Sequence, residues 1–357
     1  MKQIKIAVIG VGALGQHHAR ILAGMPDVEL VGVADTNREA GMRVAHNCGT
    51  QWFSEYRDVL DNVDAVSVAV PTVAHLAVAG DCLARGISAH VEKPLALDAT
   101  EGSLLVKQAE KTGAILQVGH IERFNPAMQS ARPHIGQPKY IRGERLSPFS
   151  FRSTDIGVTL DLMIHDIDLV LDLAASPIVS VEAFGLNILG NNEDVVQARL
   201  RFENGCVADL TANRVSMNVS RSMQVWSNTG FVGIDFGARQ VTTCAPSDAL
   251  LYGTSPVERA QQPGADIEKL KTDVFEHFIR VENPTVTPHD ALTAELSSFV
   301  DCIRTQQKPL VDGQTGLLAL KAAEQILESV AAHAWDGNSQ GAIGPAPFFA
   351  APRKLAG

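Results

Sequence analysis

The sequence has little cysteine and no long apolar run, and each shortage excludes a class of protein. The five cysteines among 357 residues stand far apart and form no CxxC pair, so we expect neither a disulfide framework nor a cysteine-rich zinc module. No apolar stretch approaches the roughly 20 residues of a membrane-spanning helix. The net charge of −10 argues against a broad basic surface, so neither nucleic acid nor a membrane is expected as a partner.

The first third of the chain alternates between strand and helix patterns. Strand-like runs at 65–70 and 88–91 are separated by helical patterns such as those at 73–85 and 99–112. This βαβ alternation is typical of a parallel sheet with helices on both faces. We therefore predict a Rossmann-type domain of the α/β class, with a doubly wound parallel sheet, over residues 1–122.

The pattern changes after this point. Short strand-like runs follow one another over residues 140–236, and Asn204-Gly205 between two of them is a strong hairpin signal. We predict an α+β domain with an open, mostly antiparallel sheet over residues 123–335, for substrate binding and oligomerisation, and a loosely ordered tail over 336–357. Because broad exposed sheets often associate, a homodimer or homotetramer is expected.

A glycine-rich turn follows the apolar, β-branched run Ile4–Ile9. Gly10 permits a tight turn, Gly12 lets the backbone approach a pyrophosphate, and Gly15 allows close packing of the next helix. Helical periodicity follows the turn, so the free N–H groups of a helix N-terminus are expected to face the phosphates. The motif predicts dinucleotide binding by the turn residues Gly10, Gly12, Ala13, Leu14 and Gly15.

Asp35 ends the second strand-like run, twenty residues past Gly15. A carboxylate at this point hydrogen-bonds the hydroxyls of the adenosine ribose and repels a 2′-phosphate. NAD is therefore predicted as the cofactor in preference to NADP, although the nearby Arg38 weakens that preference. In the first helix, His17 and His18 are expected to face solvent or the domain interface.

Two further segments offer groups that handle protons. Lys93 follows a strand that should end at the carboxyl edge of the parallel sheet, where ligands bind. Asp161 and His165 have the i, i+4 spacing of one helical face. Oxidation of a secondary alcohol needs a base for the hydroxyl proton, and histidine exchanges protons near neutral pH. His165 is the favoured proton acceptor, with Lys93 polarising the hydroxyl, and the reverse assignment stays open.

In combination, these motifs resemble those of the Gfo/Idh/MocA family of NAD(P)-dependent sugar oxidoreductases. The resemblance rests on the glycine turn, on Val70-Pro71-Thr72-x-x-His75, on Glu92-Lys93-Pro94 and on Gly157-x-x-x-Asp161-x-x-x-His165. It covers nearly the whole chain before the tail, and the family's two-domain architecture agrees with the division drawn above.

The resemblance implies a catalytic trio of Lys93, Asp161 and His165 around the reacting hydroxyl. Arg123 suits a phosphate contact because its guanidinium forms bidentate hydrogen bonds. Cofactor binding is further expected at Pro71, Thr72, His75, Glu92 and Lys93, and substrate binding at Lys93, Arg123, Asn125, Arg152, Asp161 and His165. No third ligand accompanies Asp161 and His165 in the sequence, so no metal is expected.

Within the family, residues 119–126 look like the branch that acts on UDP-N-acetylhexosamines, whose members oxidise C3 of UDP-N-acetylglucosamine or of its uronic acid. The expected activity is therefore NAD-dependent oxidation of a sugar hydroxyl, giving a 3-keto sugar. A dehydrogenase of a free polyol or sugar, such as an inositol, and a non-catalytic dinucleotide-binding regulator remain alternatives, because fold alone does not separate them. The expected location is the cytoplasm, since the first strand leaves no room for a signal peptide and the thiols read as reduced.

Overall fold

The computed structural model describes residues 3–151, 155–338 and 340–347. Its first part forms six parallel strands in the order β3-β2-β1-β4-β5-β6, with helices between them. In chain order the elements are β1 (Ile4–Ile9), α1 (Gly15–Ala23), β2 (Val28–Ala34), α2 (Arg38–Cys48), β3 (Gln51–Phe53), α3 (Arg57–Leu60), β4 (Ala65–Val68), α4 (His75–Ala84), β5 (Ser88–Glu92), α5 (Ala99–Thr112) and β6 (Leu116–Gly119). The predicted Rossmann sheet is confirmed.

The second part is built on nine strands in the order β14-β13-β12-β11-β7-β10-β9-β8-β15. Its pairs are antiparallel except for β7 with β10 and β8 with β15, among the strands that the structure describes. The remaining elements are α6 (Pro126–Ala131), β7 (Pro138–Leu146), α7 (Ile164–Ala174), β8 (Ile178–Asn187), β9 (Val195–Phe202), β10 (Val207–Asn213), β11 (Ser220–Ser227), β12 (Gly230–Asp235), β13 (Gln240–Pro246), α8 (Asp248–Tyr252), α9 (Pro256–Ala260), α10 (Ile267–Asp273), β14 (Ile279–Glu282), α11 (Ala291–Thr305), α12 (Gly313–Ala332) and β15 (Ala346–Pro347). The predicted mostly antiparallel sheet is confirmed.

The chain divides into two compact units. The first consists of Met1–Phe124 and Asp290–Leu327, and the second of Asn125–His289 and Glu328–Gly357. Helix α11 belongs to the first unit because Phe299 and its apolar neighbours join the buried core of β1, α1 and β2. The structure thus places α11 and most of α12 with the parallel sheet, whereas the sequence pattern assigned them to the second domain by their position in the chain.

In the second unit, alternation along the strands produces one buried and one partly exposed face. Burial alternates residue by residue in β9 and β10, and α7 packs on β7 and β10. The Asn204-Gly205 turn joins β9 and β10 with Gly205 at φ +82°, as the hairpin signal predicts. Strands β13 and β14 and helices α8 to α10 were not predicted from the sequence.

Part of the predicted loose tail is held against the second sheet. Strand β15 pairs with Leu186 and Asn187 of β8, and the Trp335 indole donates a hydrogen bond to the Gly344 carbonyl at 2.9 Å. The strand pairing covers the C-terminal end of the edge strand β8. Residues 348–357 lie outside the part of the chain that the structure describes.

Candidate active site

The glycine turn forms where β1 ends, at the carboxyl edge of the parallel sheet. Gly10 has φ +84°, and a Cβ there would lie 2.7 Å from the Ala69 carbonyl oxygen, so only glycine fits. A Cβ on Gly15 would lie 1.9 Å from the Gly10 carbonyl oxygen, which shows how closely α1 approaches the turn. The turn therefore connects strand and helix as the dinucleotide motif requires.

The same turn leaves space for a phosphate group. A Cβ on Gly12 would meet no atom within 4 Å, and the neighbouring Ala13 and Leu14 are exposed. No side chain caps the start of α1, so its first N–H groups are not taken by a capping residue. These features fit the pyrophosphate of NAD, which a helix N-terminus and a close backbone approach both favour.

Asp35 lies directly beyond β2, with its carboxylate facing the glycine turn. Its Oδ2 accepts a hydrogen bond from the Val11 amide at 2.8 Å, and its Oδ1 accepts one from the Asn37 amide at 2.7 Å. A carboxylate offers about four lone-pair sites, so each oxygen retains acceptor capacity for a ribose hydroxyl. The Arg38 guanidinium lies 6.0 Å from the centroid of the Trp52 ring. These contacts fit the predicted ribose site.

Lys93 is the first residue beyond β5, at the same edge of the sheet. Before it, Glu92 is buried beside Gly119 of β6, where a Cβ would lie 3.1 Å from the Glu92 carboxylate. After it, the Pro94 carbonyl lies 2.9 Å from His75 Nδ1. The Nε2 atom of the same ring lies 3.0 Å from the Val70 carbonyl. His75 thus joins the loops that follow β4 and β5.

The neighbouring motif residues differ in exposure. Pro71 precedes a single 3-10 turn at Thr72–Ala74, and this turn leads directly into α4. Thr72 is buried, whereas Pro71 is exposed. Both residues lie on the loop that begins where β4 ends, next to the glycine turn.

His18 is completely buried, which corrects the expectation that it faces solvent or the domain interface. Its Nδ1 lies 2.8 Å from the Ser67 hydroxyl, and its Nε2 lies 3.1 Å from Glu92 Oε1. The Nδ1 contact has hydrogen-bond geometry, whereas the Nε2 contact to Glu92 is an ion-pair contact without it. The available signal was periodicity, since His18 shares a helical face with the buried Ile21 and Leu22.

The pKa of Glu92 reflects competing influences. Burial acts to raise it, but the contact with His18 and the electrostatic influence of His18, His90 and Lys93 outweigh burial, so the pKa lies below its usual value. Glu92 is therefore a carboxylate, directly before Lys93 in the chain.

In the second unit, Gly157 begins the segment that carries Asp161 and His165. The chain continues as a π-helical turn at Thr159–Met163 and then as α7. Glu193 Oε1 accepts a hydrogen bond from the Thr159 amide at 3.1 Å, which satisfies one N–H group at the start of this segment. Asp161 and His165 are partly exposed, whereas the intervening Met163 and Ile164 are buried, so the predicted pair lies on the accessible side of the segment.

Two buried ion pairs fasten this segment to the sheet. Arg145 on β7 makes two hydrogen bonds to Asp166, at 3.1 and 2.8 Å. Arg214 donates to Asp194 at 2.8 Å and to the Ile156 carbonyl at 2.7 Å. None of these residues had been singled out for this role from the sequence, because the partners of each contact lie 20 or more residues apart.

The predicted substrate residues have different surroundings. Arg123 lies in a 3-10 turn and is buried. Asn125 is the N-cap of α6, because its Oδ1 accepts a hydrogen bond from the Ala127 amide at 3.0 Å. Its Nδ2 also donates to the Phe236 carbonyl at 3.4 Å. Arg152 lies outside the described residues.

The catalytic candidates are divided between the two units. Lys93 belongs to the first, with the glycine turn, Asp35 and His75, whereas Asp161 and His165 belong to the second. Over residues 3–151, 155–338 and 340–347, one group of ionisable side chains has metal-ligand spacing, formed by Asp273, Glu276 and His277 near α10. Across the same residues no helix is both long and apolar enough to cross a membrane.

Two family models match the chain. Residues 4–120 match the oxidoreductase family with an NAD-binding Rossmann fold, and residues 126–232 match the Gfo/Idh/MocA C-terminal domain. The chain belongs to the Gfo/Idh/MocA oxidoreductase family. The predictions of an oxidoreductase and of NAD as its cofactor are thereby confirmed.

Individual relatives support this assignment over nearly the full chain. The chain is 34% identical over 333 residues to UDP-N-acetylglucosamine 3-dehydrogenase of Acidithiobacillus ferrooxidans, covering 93% of this chain and 99% of the relative. It is 29% identical to scyllo-inositol 2-dehydrogenase (NAD(+)) of Bacillus subtilis, covering 87% and 89%.

Solved structures show the same architecture. The structure of the Acidithiobacillus ferrooxidans enzyme has a TM-score of 0.80 at 34% identity, covering 92% of this chain and 98% of that one. Levoglucosan dehydrogenase in complex with NADH has a TM-score of 0.77 at 19% identity, covering 92% and 97%. At that identity the likeness shows the shared fold alone.

Proposed function

We propose that this protein oxidises the C3 hydroxyl of a UDP-N-acetylhexosamine with NAD, giving a 3-keto sugar. The observation that carries this proposal is the 34% identity to UDP-N-acetylglucosamine 3-dehydrogenase over 93% of the chain. The open space beside Gly12 and the carboxylate of Asp35 support the NAD part of the proposal.

The reaction requires two transfers from the alcohol. NAD, when bound, accepts the hydride that leaves the carbon. His165 is proposed to take the hydroxyl proton, with Asp161 orienting its ring or binding a neighbouring hydroxyl. Lys93 is proposed to polarise the hydroxyl and to stabilise negative charge on its oxygen. In the alternative assignment, Lys93 takes the proton and His165 polarises the hydroxyl. Kinetic measurements on variants of the two residues distinguish these assignments.

A nucleotide sugar also brings a pyrophosphate, which needs cations or N–H donors. We propose Arg123, Asn125 and Arg152 for this part of the substrate. The first domain, 1–122, is proposed to hold NAD, whereas 123–335 is proposed to bind the sugar nucleotide and to form the contacts of a homodimer or homotetramer. The partly exposed face of the nine-stranded sheet supports the latter role, because an open sheet face is suited to association.

A substrate panel tests the proposal directly. The purified protein is incubated with NAD and with UDP-N-acetylglucosamine, its uronic acid, UDP-glucose, free N-acetylglucosamine, scyllo-inositol or myo-inositol, and the absorbance of reduced cofactor is followed. We expect reduction with the UDP-N-acetyl sugars and little with the free compounds. Rapid oxidation of an inositol, with the UDP-sugars ignored, would instead select the second candidate.

That second candidate is a polyol dehydrogenase, and one observation favours it. The chain is 29% identical to scyllo-inositol 2-dehydrogenase over 87% of its length. If NAD binds in a direct titration but no compound in the panel reduces it, the protein is better described as a dinucleotide-binding regulator.

A further inference from the structure

The residues on either side of Lys93 each contact a buried histidine. The Glu92 carboxylate lies 3.1 Å from His18 Nε2, and the Pro94 carbonyl lies 2.9 Å from His75 Nδ1. Both histidines are at most 1% exposed. His18 lies on α1 and His75 begins α4, so the two histidines approach the lysine loop from separate elements.

The protonation of His18 follows from its neighbours. A carboxylate only accepts protons, so a proton on Nε2, the nitrogen that lies 3.1 Å from Glu92 Oε1, makes this ion-pair contact favourable, although the contact does not have hydrogen-bond geometry. The Ser67 hydroxyl then donates to Nδ1 when the ring is neutral. A chain of polar contacts therefore runs from Ser67 on β4, through His18 on α1, to Glu92 at the end of β5.

His75 has a different arrangement, with a carbonyl oxygen facing each ring nitrogen. Burial lowers the pKa of His75 more than its contacts with the Val70 and Pro94 carbonyls raise it, so the ring is neutral near pH 7. A neutral imidazole has one N–H group and donates to only one of the two carbonyls. A proton on Nδ1 fastens Pro94, whereas a proton on Nε2 fastens Val70.

We propose that His18 and His75 are positioning residues for Lys93, His18 acting through the Glu92 side chain and His75, with its proton on Nδ1, through the Pro94 carbonyl. The proposal rests on the role given to Lys93 in the proposed function. The proposal does not require either histidine to contact the substrate. Together they fix the backbone on both sides of Lys93, and with it the point from which the long lysine side chain reaches the hydroxyl.

Such positioning matters because a lysine side chain is flexible. Its ammonium group is a point charge on a four-carbon stem, and its reach is set by where the backbone holds the Cα atom. Displacement of a reacting group by about 1 Å can cost about 10²-fold in rate. Partial release of one anchor is therefore expected to lower kcat by about 10-fold.

Substitution of each histidine by glutamine or asparagine tests the contacts of its two ring nitrogens separately. The amide of glutamine reaches the place of Nε2, and the shorter amide of asparagine reaches that of Nδ1. His18→Gln retains a donor for Glu92 and His18→Asn does not, whereas His75→Asn retains a donor for Pro94 and His75→Gln does not. We expect kcat to be about 10-fold higher for His18→Gln than for His18→Asn, and about 10-fold higher for His75→Asn than for His75→Gln.

This crossed order is the readout that a purely structural role would not produce. If the histidines only fill space, the same amide residue, the one whose size fits better, would give the higher kcat at both positions. In that case kcat would follow the melting temperature. Gln117→Met is the matched control, because Gln117 is fully buried in β6 and donates to the Glu295 carbonyl rather than to a neighbour of Lys93. Its melting temperature is expected to fall while its kcat stays near that of the unmodified enzyme.

Three measurements complete the test. NAD affinity, measured by titration, should be equal within each Gln/Asn pair, and a parallel loss of NAD binding and kcat would overturn the proposal in favour of a cofactor contact. If a histidine variant does not fold, Glu92→Leu removes the partner of His18 and should lower kcat as His18→Asn does, and an unchanged kcat would contradict the proposal. Lys93→Met distinguishes failure of the proposed function from failure of the positioning proposal. Normal turnover of this variant contradicts the catalytic role of Lys93. Low turnover of this variant, combined with histidine variants that do not show the expected opposite order of glutamine and asparagine, contradicts only the positioning role of the histidines.

Discussion

The Glu193 carboxylate occupies the space beside Gly157 that a side chain at residue 157 would need. A Cβ on Gly157 would lie 2.0 Å from Glu193 Oε2, while Oε1 of the same carboxylate accepts the hydrogen bond from the Thr159 amide. Glycine at this point therefore allows a buried acid to cap the segment that carries Asp161 and His165. The motif position is explained by a contact to a residue far along the chain.

Gly157→Ala should displace Glu193 and loosen that segment. We expect kcat to fall by about 10-fold and the melting temperature to drop, because the Thr159 amide loses its partner. Gly190→Ala is the control, since a Cβ there meets no atom within 4 Å. Equal kcat values for the two alanine variants would show that the Glu193 contact does not influence catalysis.

Asp35→Ala should weaken NAD binding more than NADP binding. The variant loses the carboxylate that fits the ribose hydroxyls, and a charge-assisted hydrogen bond is worth roughly 1.5–3 kcal/mol, or about 10- to 150-fold in affinity. Asp64→Ala is a suitable control, because Asp64 also accepts a backbone hydrogen bond, from Lys5 at 2.9 Å, but lies before β4 rather than at the carboxyl edge. Equal losses for both dinucleotides, measured by fluorescence titration, would place Asp35 away from the ribose.

Lys93→Met and His165→Ala should each lower turnover by roughly 10²-fold or more, the usual scale for a positioned acid or base. NAD affinity should change little in either variant. Asp161→Asn should have a milder effect if Asp161 only orients His165, and an equal one if it shares the proton. Near-normal turnover in either of the first two variants would remove that residue from the mechanism.

Asp194→Asn should reduce stability in a pH-dependent way. Burial acts to raise the pKa of Asp194, but hydrogen bonds from the Leu189 and Ile188 amides and from Arg214 outweigh it and hold the pKa below its usual value. A lowered folded-state pKa stabilises the protein above the unfolded-state value of about 3.9, and this contribution is lost as the pH falls through the folded-state pKa.

The difference in melting temperature between the unmodified protein and Asp194→Asn should thus be largest above about pH 5 and should narrow below about pH 4. Asp61→Asn, which disrupts an exposed ion pair with Arg85, should change the melting temperature little at any pH. A difference for Asp194→Asn that stays constant from pH 7 to acid would contradict this assignment.

The sequence by itself determined the features that depend on neighbours in the chain. The glycine turn, the aspartate that ends the second strand and the Asn204-Gly205 hairpin are local signals, and each has the predicted structure. The parallel sheet followed from alternating strand and helix periods, and the mostly antiparallel sheet from closely spaced strands and turns. Such patterns are readable because backbone conformation within a turn or element is set largely by its own residues.

Only the tertiary structure decided which polar side chains are buried and what they contact. His18 meets Ser67 from 49 residues away, Glu193 caps a segment 34 residues before it, and α11 packs on a sheet that ends long before it in the chain. Hydrophobic periodicity predicts which face of a helix is buried, but it does not show which residues pack against that face. A buried polar group is stable only when a distant element supplies its hydrogen-bond partner, so its position is decided by packing rather than by local sequence.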